Sequence, residues 1–234
     1  MERHIFSYEE VKLKVTTRKL WEDHAIWTRQ FMVDLLADIP SIDKTTERLL
    51  KNQEAIGNCI KPFFGDTAGD TLTSLLKDRV TVTIDLLKAI KIGDVTRSTT
   101  LEIDAITNTE NIATFFATIN PCYSRDELIE MLDTNLILVK YQFIARMNGD
   151  YNADVMYFDM NIHHILMISD YLFKGIIERF FEEQTLYSYQ IQTEYQDQAN
   201  YHNQTEEHTE QTLGRYQQAE EQTLDQYQQA EEQI

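Results

Sequence analysis

Residues 152–181 read NADVMYFDMNIHHILMISDYLFKGIIERFF, and within them Val155, Phe158, Ile162, Ile165, Leu172, Ile176 and Phe180 recur at three- and four-residue steps. Such a rhythm marks one face of an α-helix, in which about 3.6 residues complete a turn. No Pro interrupts it, so the spacing predicts a long helix starting near Asn152. No membrane span is expected there: His163, His164, Asp170, Lys174, Glu178 and Arg179 break the apolar run, and charges are costly in hydrocarbon.

Working back along the chain, the same logic repeats. Ser7-Tyr-Glu-Glu10 has the spacing of a capping box, in which hydroxyl and carboxylate each satisfy a free backbone N–H at a helix start. A helix from there to about Asp38, stopped by Pro40, carries Leu20, His24, Trp27, Phe31 and Leu35 on one face. A second runs from about Asp43 to Lys61, closed by Pro62 and Gly65. Gly65–Gly69 reads as a loop, after which Asp70 or Thr71 caps a third helix with Leu72, Leu75, Leu76, Val82 and Leu86 in its stripe, ended by Gly93-Asp94. Thr107–Glu110 reads as another capping box, opening a shorter helix through Phe115, Phe116 and Ile119 to Pro121. Ser124–Glu127 repeats the device and starts a helix that reaches Met147, before Asn148-Gly149. With seven Gly, three Pro and no alternating run, the expected class is all-α. Long amphipathic helices joined by short breaks cover their apolar faces most simply as an antiparallel bundle with a four-helix-bundle-like core.

Composition changes at Phe181. Residues 1–181 are rich enough in apolar side chains to close a core, and residues 182–234 are an acidic, Gln/Glu-rich tail. The tail writes nearly the same eleven letters twice, QTLGRYQQAEE from Gln211 to Glu221 and QTLDQYQQAEE from Gln222 to Glu232. An eleven-residue period is about three helical turns and drifts right-handed, so the tail is expected to be helical, with Leu213, Tyr216, Leu224, Tyr227 and Ile234 as a narrow seam. Self-association or a protein partner through residues 182–234 is the expected use of such a seam. A solvated or disordered extension is the alternative.

Charge narrows the partners. The net charge is -18, and twelve acids against Arg215 put -11 of it beyond Phe181, leaving -7 for the body. Without a basic stripe to release counterions, nucleic acid is not an expected partner. Cys59 and Cys122 are the only thiols and no secretory segment follows Met1, so a cytoplasmic protein without a disulfide framework is expected. Neither a Gly-rich phosphate loop ending in Gly-Lys-Ser/Thr nor a Gly-x-Ser-x-Gly elbow occurs.

One set of motifs is familiar. Trp21-Glu-Asp-His24, Ile26-Trp27-Thr28-Arg29, Leu49-Leu-Lys-Asn-Gln53, Ile56-Gly57, Lys61-Pro62-Phe63-Phe64-Gly65, Ala68-Gly69, Leu72-Thr73 and Leu75-Leu76-Lys77-Asp78, then Asn120-Pro121 and Ser169-Asp170, occur in this order. The chain over about residues 17–180 resembles a family of small, largely uncharacterised bacterial proteins, often named glycosyltransferase or acetylglutamate kinase. The resemblance implies a four-helix-bundle-like fold. It also implies relatives with histidines after the Lys-Asp pair and in the fifth helix, where this chain has Arg79 and Asn135. If those relatives hold a metal between helices, this chain lacks those ligands.

For chemistry, His24 is the leading candidate because it interrupts an apolar stripe between Leu20 and Trp27. A metal would need partners from facing helices, as in ferritin-like Glu-x-x-His sites. Three residues before His24, His163 and His164 stand Trp21, Met160 and Asn161, so that spacing is absent. A core histidine bonded to a neighbour such as Glu54 is the simpler reading. His163 could meet Asp159 on one helix face and, with Asp170, form a general base; a solvated helical pair is the plainer one. The expected function is therefore a non-enzymatic helical bundle acting as an interaction or oligomerisation module through its C-terminal helix, with no cofactor. The alternative is a hemerythrin-like or ferritin-like bundle binding iron, zinc or a small ligand near His24, with His163, His164 and Glu54 as further candidates.

Overall fold

The computed structural model describes residues 7–180, which form six α-helices and no strand: α1 Tyr8–Leu36, α2 Ile42–Phe64, α3 Asp66–Lys91, α4 Val95–Ile119, α5 Arg125–Met147 and α6 Tyr151–Phe180. The all-α class expected from periodicity is what folds. The tail of residues 182–234, with its proposed seam, lies outside the described residues.

Caps explain most of the boundaries. Ser7 and Glu10 make the capping box: the hydroxyl accepts from the Glu10 N–H at 3.2 Å and the carboxylate accepts from the Ser7 N–H at 2.7 Å. At α5 the Ser124 hydroxyl accepts from the Glu127 N–H.

Three sequence expectations are corrected. α2 runs through Pro62 to Phe64, because a proline in the last turn forfeits only one backbone bond. Gly65–Gly69 is not a loop, since Gly65 alone, at φ 84°, breaks the chain and α3 begins at Asp66. Thr107–Glu110 is not a helix start: α4 already begins at Val95, where the Asp94 carboxylate accepts from the Arg97 N–H, and the Thr107 hydroxyl bonds the Ile103 carbonyl in mid-helix.

Every consecutive pair of helices runs antiparallel, as the cross-helix contacts register. His24 meets Gln53 while Asp34 meets Thr45; Lys61 meets Asp70 while Glu54 meets Lys77; Asn108 reaches Leu75 while Arg97 reaches Asp85. Arg125 meets Glu110 while Lys140 meets Glu102, and His164 reaches Met131 while Asp154 meets Arg146. α6 then packs back on α1, joined by Arg29–Asp154 at 2.8 Å and Arg18–Asp170 at 2.5 Å, so the up-and-down series closes into a ring.

The interior divides along the bundle axis. One apolar cluster gathers Trp21, Ile56, Leu76, Ile112, Leu132 and Ile165; another gathers Phe31, Leu49, Val80, Ile84, Val139 and Phe143. Polar side chains lie at the level between them. The buried face of α6 is displaced from the stripe that hydrophobicity suggested, for Val155 is exposed whereas Asp154 and Asn161 are buried in line with Ile165, Ile168, Leu172 and Ile176.

Candidate functional site

Between the two clusters, three pairs of polar side chains join neighbouring helices, with one member on each helix: His24, Gln53, Arg79, Thr109, Asn135 and Asn161, from α1 to α6 in turn. Each follows from substituting a polar residue where the stripe asks for an apolar one: Gln53 lies between Leu49 and Ile56, Thr109 between Ala105 and Ile112, Asn135 between Leu132 and Val139. Five of the six are buried and His24 is half-buried. A buried polar group needs a partner, and these find theirs in pairs across neighbouring helices.

In the first pair the Gln53 amide lies 3.1 Å from His24 Nδ1. Gln53 Nε2 also donates to the Leu49 carbonyl at 2.9 Å, and with the amide in that orientation Gln53 donates to Nδ1 and the His24 ring proton is assigned to the ring Nε2. In the second, Arg79 Nη1 donates to Thr109 Oγ1 at 2.9 Å while Nη2 donates to the Leu132 carbonyl at 2.5 Å. In the third, Asn135 Nδ2 donates to Asn161 Oδ1 at 2.8 Å.

One member of each pair, His24, Arg79 and Asn135, faces a common cavity of about 20 Å³, bordered also by Thr28 and Thr83 and otherwise by apolar side chains. That volume accommodates about one water-sized guest. Its electrostatics are cationic. Burial, with Arg79 adding repulsion, pushes His24 down to about 4, so the ring is neutral near neutral pH. Burial likewise lowers Arg79 to about 10, with the charge of Asp133 acting the other way, and the guanidinium stays charged. Among the described residues no carboxylate lies within 4 Å of Arg79.

The sequence candidates separate. His24 converges with Arg79 and Asn135 on one cavity. Glu54 does not join them: it is half-exposed and bonded to Lys77, and its neighbour Gln53 is the partner of His24. His164 donates from Nε2 to the Met131 carbonyl at 2.7 Å, and neither it nor His163 borders the cavity. The proposed His163–Asp170 pairing is not made; Asp170 instead binds Arg18 through Oδ2. Gln53, Thr109 and Asn161 escaped the sequence reading; the signal was their place on buried stripes, which residue type alone concealed.

An iron or zinc ion does not fit this donor set. A guanidinium has no lone pair for a metal and repels a cation, which leaves His24 as the one strong ligand bordering the cavity. Among the described residues no three His, Cys, Asp or Glu side chains gather as ligands would. Nor does Cys59 offer a nucleophile, since burial raises its thiol and keeps it protonated.

Among the described residues, no helix is long and apolar enough to cross a membrane. No family model, curated protein or solved structure matches the chain.

Proposed function

We propose that this chain is a non-enzymatic helical bundle that binds an ion or a very small polar molecule in the cavity at its midline. The observation that carries the reading is the convergence of His24, Arg79 and Asn135, from three different helices, on one cavity inside an otherwise apolar ring. Six polar groups at one level cost desolvation in a core where leucines would fit, and a ligand site is a reason to keep them. No nucleophile, base and oxyanion donor come together among the described residues in a way that would favour catalysis.

A thermal-unfolding screen of small ions and polar solutes on the full chain tests it, with His24→Leu as the comparison. The expected result is at least one solute whose saturable stabilisation disappears in the variant. A panel without any such solute would remove the reading.

The eleven-residue repeat favours a second, compatible role: the tail of residues 182–234 joins the bundle to another copy or to a protein partner through Leu213, Tyr216, Leu224 and Tyr227. Sedimentation of the full chain against Leu213→Lys/Leu224→Lys tests this; the parent is expected to be heavier at equal concentration. If both sediment as monomers, and no partner is lost with the substitutions, the tail has no such role.

A further inference from the structure

A charged guanidinium in a mostly apolar cavity, without a carboxylate in contact, is an electrostatic imbalance that a guest can correct. Arg79 has 6% of its surface exposed and spends two of its five N–H groups, on Thr109 and the Leu132 carbonyl. The acid whose charge does influence it, Asp133, makes no ion pair with it. Desolvating such an ion without a contact partner is unfavourable, and an opposite charge in the cavity would offset that cost. Further donors border the same space: the Thr83 hydroxyl, one turn along α3, has no hydrogen-bond partner among the described residues, and Asn135 has a second amide hydrogen beside the one given to Asn161.

Resting on the ligand-binding reading above, we propose that the midline cavity is a selective site for one small, weakly hydrated monovalent anion of the chloride, bromide or nitrate class, with Arg79 as its charge partner. Volume and lining decide the class. About 20 Å³ leaves room for no more than one such ion, and its walls, Phe31, Leu49, Val80, Ile84, Leu87 and Val139 among them, cannot replace the water shell of a doubly charged anion. A single guanidinium also balances a single charge.

General salt action runs in the opposite order, because sulfate strengthens folding of most proteins by exclusion from their surface, so selectivity makes the test sharp. The full chain is titrated at matched ionic strength with sodium nitrate, bromide, chloride, fluoride and sulfate, following the unfolding midpoint and the His24 ring resonances. Nitrate and bromide are expected to raise the midpoint saturably and to move the His24 signals, chloride to do so more weakly, fluoride and sulfate not to compete. In Arg79→Met the apparent affinity should fall by about tenfold or more.

If that variant does not fold, the order of the anions on the parent chain carries the decision. Stabilisation by sulfate above nitrate with no saturation, or an unchanged response in Arg79→Met, overturns the proposal. Should the His24 signals ignore every anion yet move with acetamide or formamide, the anion assignment falls and the ligand-binding reading stands. If none of these moves them, both fall.

Discussion

In the unfolded chain His24 takes up a proton near pH 6.5, whereas in the fold burial and the Arg79 charge delay it to about 4. Between those values the unfolded state holds more protons, so stability is full above pH 6.5 and falls on acidification through the window down to 4. The loss approaches about 3 kcal/mol at its limit, since each pKa unit corresponds to about 1.4 kcal/mol. Urea midpoints from pH 7.5 to 4.5, compared between the parent and His24→Gln, isolate this residue from the other titrating groups. The variant should show the flatter profile, and parallel profiles would refute the assignment. That His24 faces the interior was legible, because it is a polar residue on an apolar stripe. Its partner was not: choosing Glu54 over Gln53 favoured a charge, yet one step along a helix turns the side chain about 100°, and the residue facing His24 is the amide. Glu54 instead faces Lys77, where a carboxylate keeps part of its water.

Among the elements, α2 and α3 approach so closely that glycine is required on both. A Cβ at Gly57 would overlap Thr73 Oγ1 and stand 2.5 Å from the Gly69 carbonyl, and one at Gly69 would stand 2.6 Å from the Gly57 carbonyl. Gly57→Ala is therefore expected to destabilise by about 1–3 kcal/mol despite the better helix propensity of alanine, because backbone must move to admit it. Urea denaturation measures this; a stabilised variant would contradict the close approach. The sequence made Gly69 look like loop punctuation, since a helical glycine needed for contact and a loop glycine are written alike. A different device joins α1, α5 and α6. Asp154, with 1% of its side chain exposed, accepts from Arg29 at 2.8 and 2.9 Å, Arg146 at 2.6 Å and Gln142 at 3.1 Å. Asp154→Asn leaves two guanidinium groups facing an amide and should cost about 3 kcal/mol, the lower end for a broken buried pair, because both arginines still reach water. A loss under about 1 kcal/mol would mean that the clamp contributes no more than a surface pair. Hydrophobic periodicity missed Asp154 because it singled out the adjacent Val155, which the fold leaves exposed.

For the whole molecule, the midline polar level is expected to set which axial register the six helices adopt. Apolar contacts alone discriminate weakly against a slide of one turn between neighbours, whereas such a slide would leave Arg79 and Asn161 buried, and His24 half-buried, without Thr109, Asn135 and Gln53. Leaving such groups unpaired costs about 1–3 kcal/mol each, which makes the shifted packings unfavourable. The number of helices was readable from the chain because caps and glycines punctuate it; the closed ring was not, because the α1–α6 seam joins residues more than a hundred positions apart, such as Arg29 and Asp154. The Asn135–Asn161 pair allows the register argument to be measured. Asn135→Leu or Asn161→Leu alone strands one amide and should destabilise by about 1–3 kcal/mol, whereas the double substitution removes donor and acceptor together and should recover much of that loss. A double variant as unstable as the sum of the singles would place the energy of this level in local packing and leave the register to the apolar clusters.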